Sequence, residues 1–284
     1  MHRTAPDLWA DTSRVDFTAW PARGERTDDD ELVARAVGAW ARPARSSPKV
    51  SVATGTPGEP LAASPQLLYA GEVEGRAVVM LYDGRRLARY AEPDGTKSGT
   101  PTLSVARADD ADVTTSAAIT ISAGGGSARY LLAPWIAEAG SRDLLRPDDA
   151  AHRLEVSAHG VTVPVPTPRA GSSCQQWPVL QLRSSPRIVE DHSFLLADLG
   201  GLSPVHLTYT PLPKAGAPPA RQPREATGGA ALTAWSRLAC RLGDRSDGAV
   251  RDVNLWDFAE QRLPPERRAG RLVVLPFRHL ARRR

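Results

Sequence analysis

The chain has 284 residues, of which 41% are hydrophobic and 24% are charged, as in ordinary globular proteins that build a sizeable core. Its net charge of +4 is concentrated at one end, because eight arginines and a single acid, Glu266, lie between Arg262 and Arg284. The rest of the chain is slightly acidic, which argues against a broad basic face for nucleic acid. No apolar run of about 18 residues is present to form a transmembrane helix.

The first 26 residues form a polar, irregular segment in which Val15 to Trp20 has the alternation of a short edge strand. The segment lacks the apolar core, roughly 7–15 residues long, of a signal peptide. Taken literally, the sequence predicts a soluble and unexported chain. The alternative is an ectodomain whose anchor was removed or lies upstream.

Residues 27–41 are predicted to form an amphipathic helix. Thr27 is the expected cap, and the acids from Asp28 to Glu31 fall in the first turn, where the helix dipole favours negative charge. The apolar face consists of Leu32, Val33, Ala36, Val37 and Trp40. Because acids are common at helix starts, capping explains the aspartates better than a metal site does.

Gln66 to Glu92 holds the strongest strand pattern of the chain. Strand-length segments run over 67–73, 76–82 and 85–90 and are separated by Glu74-Gly75 and Asp83-Gly84. Asp-Gly between apolar runs is a strong hairpin signal and Glu-Gly a weaker one, since both central residues of a type I′ turn need positive φ. The middle segment is apolar on both faces, so we predict an antiparallel meander with a buried central strand.

Further strands are predicted over 49–53, 103–106, 117–122 and 128–136. Gly124-Gly125-Gly126 would need a helix directly after it to bind phosphate, and Pro134 interrupts the next segment of the chain, so a hairpin turn is the preferred interpretation. Residues 153–165 alternate around His159-Gly160 and predict another hairpin.

A soft boundary near 168–173 divides a first helix-plus-meander half, 27–168, from a second β-rich half, 169–278. Strands of the second half are predicted over 177–182, 194–197, 205–209, 253–262 and 271–277. The Pro-rich stretch 210–227 is predicted to be a linker or surface loop, the stretch 229–242 a second amphipathic helix, and 279–284 a basic tail.

These patterns predict an α+β fold dominated by strands, with antiparallel meander sheets and two amphipathic helices. The two halves also resemble each other. Gly75 to Leu81 is similar to Gly270 to Pro276, and each segment belongs to a unit led by an amphipathic helix with one tryptophan, Trp40 or Trp235. We therefore predict a diverged internal duplication.

Two cysteines, Cys174 and Cys240, are too few for a cysteine-based zinc site or a disulfide-dense scaffold. In a helix over 229–242, Cys240 lies opposite the apolar face that contains Trp235 and Leu238. A thiol off the apolar face is more often exposed or bonded than buried in the core. A Cys174–Cys240 disulfide and two free thiols both stay open, and a disulfide would favour an oxidising compartment.

No catalytic, cofactor-binding or metal-binding residue is predicted. The six histidines form no metal-binding spacing. Glu190, Asp191, His192 and Ser193 are adjacent, and neighbours on an extended chain point to opposite faces, so they cannot form a triad among themselves. The acids between Asp109 and Asp112 are explained better by a solvated turn than by a cation site.

Four pieces of the chain, LLYAGEVEGRAVVMLYDG, VDFTAWPARG, ARYLLAPWIAE and NLWDFAEQRLP, resemble an uncharacterised group of actinobacterial proteins. The resemblance covers most of the chain and implies a β-rich ectodomain behind an N-terminal signal or membrane anchor. It implies no activity, and this sequence differs from that group because no anchor precedes Val15.

The expected function is a non-enzymatic, extracytoplasmic binding or structural module that meets a partner, of unknown identity, at the cell envelope, without a cofactor. One alternative is a hydrolase of unrecognised class that uses His192 or His206 with nearby acids. A second alternative, in the cytoplasm, is nucleic-acid binding through the arginine-rich tail, although no sequence-specific recognition is expected from it.

Overall fold

The computed structural model describes residues 1–42, 48–59, 61, 64–95, 98–168, 174–213, 217–218, 220, 222–242, 250–261, 270–274 and 277–279. The helices are α1 (Leu8–Asp11), α2 (Asp30–Ala41) and α3 (Gly229–Ser236). The first ten strands are β1 (Lys49–Val52), β2 (Gln66–Val73), β3 (Arg76–Tyr82), β4 (Arg86–Pro93), β5 (Thr102–Arg107), β6 (Ala118–Gly124), β7 (Ser127–Leu132), β8 (Ile136–Asp143), β9 (His152–Arg153) and β10 (Val165–Pro166). The others are β11 (Pro178–Ser184), β12 (Ser193–Ala197), β13 (Val205–Thr210), β14 (Arg224–Glu225), β15 (Val250–Gln261), β16 (Gly270–Val274) and β17 (Phe277–His279).

The strands form three sheets, which confirms the strand-dominated α+β class. The first sheet has the order β1-β5-β4-β3-β2 and the second has the order β10-β7-β6. The third follows β16-β15-β13-β12-β11-β8-β9, with β14 paired to β13 and β17 paired to β15. Between the named strands of the described part of the chain, pairing is antiparallel except for β1 with β5 and β13 with β15.

The side chains stack these elements into five layers. Helix α2 covers one face of the first sheet, and an aromatic core around Trp20 and Trp135 joins the other face to the second sheet. A third core, around Tyr130 and Phe194, joins the second sheet to the third. Helix α3 covers the outer face of the third sheet through Trp235. Each sheet alternates its side chains between two cores, as period-two burial requires.

The predicted meander is confirmed as β2, β3 and β4. Val79 and Leu81 of β3 pack against the core of α2, whereas Val78 and Met80 pack into the aromatic core. The central strand is therefore covered on both faces, as its unbroken apolar run predicts.

The two turns of the meander reverse the expected ranking. Glu74 and Gly75 both have positive φ, 53° and 73°, so the Glu-Gly turn has the sign pattern that type I′ requires. At the second turn only Gly84 has positive φ, and the Asp83 carboxylate accepts the backbone N–H groups of Arg85 and Arg86. Asp83 therefore closes a longer turn through its side chain, and its prediction as a type I′ residue was wrong.

Both helix predictions need corrected limits. Helix α2 begins at Asp30 and not at Thr27, because the Asp29 carboxylate caps it by accepting the Leu32 N–H at 2.9 Å. Helix α3 ends at Ser236, and a 3-10 turn over Ala239–Arg241 replaces the expected continuation to 242. That turn keeps Ala239 and Leu242 fully buried in the core of the third sheet.

The segment from Val15 to Trp20 is not an edge strand. Phe17–Ala19 form a 3-10 turn, and the Asp16 side chain caps it by accepting the Thr18 N–H at 2.8 Å. The turn places Phe17 and Trp20 in the aromatic core, which explains the apolar pattern without a strand.

The hairpin predictions are confirmed. Gly125 and Gly126 have positive φ in the turn between β6 and β7. Around Gly160 the chain reverses through backbone hydrogen bonds between Ser157 and Val161 and between Glu155 and Val163. The first glycine-containing segment is therefore a turn between paired strands, and the second is a turn whose arms meet through these bonds and the isolated bridge Val156↔Thr162.

The two halves share the third sheet. Strand β8 lies in the first half of the sequence, yet it pairs with β11 from Pro178↔Asp143 to Ser184↔Ile136. The predicted boundary at 168–173 lies mostly outside the described residues, and the division into halves stays a prediction. The duplication also stays a prediction. The two strands that it compares differ in position, since β3 is internal to its sheet whereas β16 lies at the end of its strand order.

Across the described residues, no helix combines the length and the hydropathy that crossing a membrane would require. The basic tail beyond His279 lies outside the described residues, and so does most of the arginine-rich stretch that begins at Arg262.

Candidate functional site

The two histidines of the enzyme alternative meet at one carboxylate. His192 precedes β12, His206 lies on β13, and Glu225 lies on β14, which pairs with β13. His206 Nε2 is 2.8 Å from Glu225 Oε2, and His192 Nε2 is 3.4 Å from Glu225 Oε1. We call these three residues the histidine cluster.

The contacts in the histidine cluster favour the charged forms of Glu225 and His192. Burial alone would raise the pKa of Glu225, but hydrogen bonds with His192 and His206 outweigh burial and lower it. The hydrogen bond to Glu225 raises the pKa of His192 against the opposing effect of desolvation. The Phe194 ring lies beside both imidazoles, with centroid distances of 5.6 Å to His192 and 6.1 Å to His206.

Thr114 completes a line of groups that has the order of a nucleophile, a base and an orienting acid. His206 Nδ1 is 3.4 Å from Thr114 Oγ1, and His206 Nε2 contacts Glu225. The Thr114 hydroxyl, however, also donates to Asp112 Oδ1 at 2.9 Å, and Thr114 is only 5% exposed. The arrangement can orient an imidazole and hold a proton, but its hydroxyl is closed to a substrate.

The acids that flank this region have structural partners. Asp191 pairs with an arginine, because its Oδ1 lies 3.3 Å from Arg183 Nε. Asp112 is exposed in its turn, as the predicted solvated turn requires, and its carboxylate accepts the backbone and hydroxyl donors of Thr115. Asp109 pairs with Arg107.

The two cysteines form a disulfide. Cys174 and Cys240 have an S–S distance of 2.04 Å and a Cα–Cα distance of 5.8 Å. Cys240 lies in the 3-10 turn after α3, so the bond joins this turn to the segment before β11. Of the two alternatives that the sequence left open, the structure therefore has the bond, although the helix used to weigh them ends at Ser236 and does not include Cys240.

A cavity of about 470 Å³ lies where all three sheets meet. Its walls come from β1, β4 and β5 of the first sheet, from β6 of the second, and from the loop between β12 and β13 of the third. Most of its apolar wall is formed by Phe17, Val105, Leu199, Leu202, Pro204 and Val205.

Arg89 is the most unusual side chain in this cavity. It lies on β4 opposite Ser104, and its Nη1 donates to the Thr120 carbonyl of the second sheet at 3.1 Å. Desolvation lowers the pKa of Arg89, while the negative charge of Asp198 acts in the opposite direction. Arg89 keeps some accessible surface in these packed surroundings because it lines the cavity.

The other charged groups of the cavity have close partners. Asp198 accepts the Tyr130 hydroxyl at 2.8 Å and the Gly200 N–H at 2.7 Å. Burial and the nearby Asp198 raise the pKa of Tyr130, so the tyrosine stays a donor. Arg107 forms a two-pronged ion pair with Asp109. These partners make Arg89 different from the other charges around it.

Sequence reasoning singled out the histidines but missed their shared acid and the whole cavity. Glu225 lies in a stretch predicted to be linker or loop, and only the β13–β14 pairing brings it to His206. Arg89 is a polar residue inside a strand otherwise rich in apolar ones, and that mismatch was the one available signal. Asp198 and Gly200 follow a strand, with no pattern to link them to β4.

In the part of the chain that the structure describes, no three His, Cys, Asp or Glu side chains are placed to hold a metal ion. No protein-family model matches the chain, and the searches of curated proteins and of solved structures find no match. The geometry of the histidine cluster and of the cavity is therefore the basis for proposing a function.

Proposed function

We propose that this protein is a non-enzymatic, extracytoplasmic binding module that takes a small molecule into the cavity between its three sheets. The cavity itself carries the proposal. Its volume of about 470 Å³ falls within the range of roughly 300–1,000 Å³ that is usual for small-molecule sites.

The composition of the cavity also fits a ligand site. Such sites combine apolar walls with a few polar groups that fix orientation. Here the apolar walls surround the charged side chains of Arg89 and Asp198. The cavity lies at the junction of separate layers, where a ligand would contact all of them at once.

The disulfide supports the extracytoplasmic part of the proposal. Disulfides persist in oxidising compartments and are rare where glutathione and thioredoxin keep thiols reduced. The resemblance to β-rich ectodomains points to the same setting, in which the module would meet a partner at the cell envelope. Alkylation of thiols in intact source cells tests this: we expect Cys174 and Cys240 to stay unlabelled, and full labelling would place the protein in a reducing compartment.

Blocking the cavity tests the binding function. Ser104 lines the cavity opposite Arg89, so Ser104→Trp would fill the space beside the guanidinium. Thr102→Trp is a matched control, because Thr102 lies two residues earlier on the same face of β5 and outside the lining. Ligand-observed NMR with a mixed set of neutral and charged small organic molecules provides the measurement.

We expect the unmodified protein and Thr102→Trp to bind the same members of the set, and Ser104→Trp to lose them. Binding that survives in Ser104→Trp would place the ligand elsewhere. If no molecule in the set binds the unmodified protein at millimolar concentration, the binding function is abandoned.

A hydrolase that uses His206 is the second candidate, and the line from Thr114 through His206 to Glu225 favours it. It is the weaker candidate because the Thr114 hydroxyl is buried and donates to Asp112. Hydrolysis of p-nitrophenyl acetate is the test. A rate above buffer that disappears in both His206→Gln and Thr114→Val would support it, and an equal rate in all three proteins would exclude this line of residues.

A further inference from the structure

Within the described ranges, no carboxylate forms an ion pair with Arg89, a cation that lines the cavity. Among the described residues, the direct hydrogen bond of Arg89 is to the Thr120 carbonyl, and it leaves most of the five guanidinium donors uncommitted. Desolvating such a group without a close carboxylate is unfavourable. A bound anion would supply the missing partner.

A second polar group beside Arg89 also needs a partner. Thr120 is 2% exposed and lines the cavity, and its Oγ1 makes no hydrogen bond to the described residues. A buried hydroxyl without a partner is unfavourable by itself. The Thr120 carbonyl already accepts a hydrogen bond from the guanidinium, so Thr120 and Arg89 are neighbours in the lining of the cavity.

From these contacts we infer that the cavity binds a small organic monocarboxylate, whose carboxylate is held by Arg89 and whose apolar body lies against the walls. The inference rests on the proposed function, because it specifies the ligand of the same cavity. A planar carboxylate matches the fork of a guanidinium with two parallel hydrogen bonds.

Asp198 restricts the charge of the ligand. Its carboxylate lines the same cavity and acts electrostatically on Arg89. A dianion such as phosphate or a dicarboxylate would bring a second negative charge towards Asp198, whereas a monocarboxylate balances Arg89 alone. The wall of Phe17, Leu199 and Leu202 then favours an apolar remainder over a second polar group.

A charged and uncharged pair of probes of one shape tests the inference. Isothermal titration at neutral pH compares 3-phenylpropanoate with 3-phenylpropanamide, and inorganic phosphate and succinate serve as dianionic probes. The proteins are the unmodified chain, Arg89→Met, Arg89→Lys and Arg142→Met. Arg142 is a matched control because its pKa is also lowered by desolvation and it donates to backbone carbonyls, but outside this cavity.

We expect 3-phenylpropanoate to bind the unmodified protein at least about tenfold more tightly than the amide. Arg89→Met should weaken the carboxylate by about 10- to 100-fold, the loss typical of a hydrogen bond to a charged group. Arg89→Lys should retain part of the preference, and Arg142→Met all of it. The comparison of the two probes on the unmodified protein decides the matter even if Arg89→Met does not fold.

The outcomes separate this inference from the proposed function. Equal binding of carboxylate and amide would overturn the inference and leave the cavity as a ligand site. Tighter binding of phosphate or succinate would overturn the monocarboxylate in favour of a dianion. If neither phenyl probe nor any member of the mixed NMR set binds, the inference and the proposed function fail together.

Discussion

The histidine cluster and the cavity of Arg89 treat buried charge in opposite ways. In the cluster, both oxygens of Glu225 contact an imidazole, and His206 also contacts Thr114. In the cavity, Arg89 has a backbone carbonyl as its direct partner and a carboxylate that acts on it electrostatically.

The difference separates a stabilising role from a binding role. Groups that satisfy each other stabilise the fold, and removing one leaves its partners buried and unpaired. A charge with few close partners contributes little to the fold and is available to a ligand. The histidine cluster was the more suggestive site in the sequence, yet the cavity is the better candidate for function.

The largest expected effect concerns the disulfide, whose loop contains the whole histidine cluster but not Arg89. Cys174→Ser combined with Cys240→Ser should lower the free energy of unfolding by about 4 kcal/mol, because the sequence separation of 66 removes much loop entropy from the unfolded chain. Urea unfolding measures it. Reductant should destabilise the unmodified protein similarly and leave the double variant unchanged; a loss under about 1 kcal/mol would contradict the estimate.

The second prediction concerns a substitution that breaks the histidine cluster. Glu225→Gln should lower the free energy of unfolding by about 2 kcal/mol, since the change removes charge-assisted hydrogen bonds to both imidazoles. The exposed Glu155→Gln, outside the histidine cluster, is the control and should change stability by less than about 0.5 kcal/mol. Two equal values from urea unfolding would show that the cluster contributes nothing to the fold.

The third prediction concerns a substitution that removes the charge of Arg89 in the cavity. Arg89→Met keeps the length of the side chain and removes its charge, so the free energy of unfolding should stay within about 1 kcal/mol of the unmodified value or rise. Urea unfolding without added ligand is the measurement. A loss as large as that of Glu225→Gln would make Arg89 a structural partner of Asp198 and remove the contrast between the regions.

The smallest effect is the pH dependence of the cluster. The pKa of His192 is raised above its ordinary value of 6.5, so its stabilisation is complete below pH 6.5 and is lost as the pH rises through the raised value. The pKa of Glu225 is lowered below its ordinary value of 4.5, so its stabilisation is present above pH 4.5 and is lost as the pH falls through the lowered value.

The stability difference between the unmodified protein and His192→Gln should therefore be largest between about pH 4.5 and 6.5 and shrink on both sides. Thermal melts measure the difference from about pH 3 to about pH 9. This series spans the range in which Glu and His side chains ordinarily titrate. The exposed His152→Gln is the control, because it makes the same substitution outside the histidine cluster. A difference for His192→Gln that does not change with pH would contradict the raised pKa.

The fold could be predicted where its signals are local. The apolar run of β3 and the glycine turns depend on neighbouring residues, and they led to the correct strands. The errors lie where distant contacts decide the local form. Trp20 and Phe17 enter the aromatic core from a 3-10 turn, and Ala239 and Leu242 fill a core that ends α3 early.

The candidate sites were harder to predict because each one joins segments that are distant in the sequence. Arg89 lies in the first sheet, Thr120 in the second and Asp198 in the loop after β12 of the third, and no spacing in the sequence reflects their proximity. Glu225 reaches His206 only through the short β13–β14 pairing. His192 and His206 could be selected by residue type alone, but their roles depend on an acid that the sequence assigned to a loop.

The pairing of β8 with β11 also has a consequence for the order in which the protein is made. Strand β8 ends at Asp143 and β11 begins at Pro178, so synthesis of the intervening residues, at roughly 5–20 residues per second, takes about 2 to 7 seconds. During that time the edge of β8 that later receives β11 has unpaired backbone groups. An open strand edge can pair with another chain, so misassembly between nascent copies is most expected in this interval.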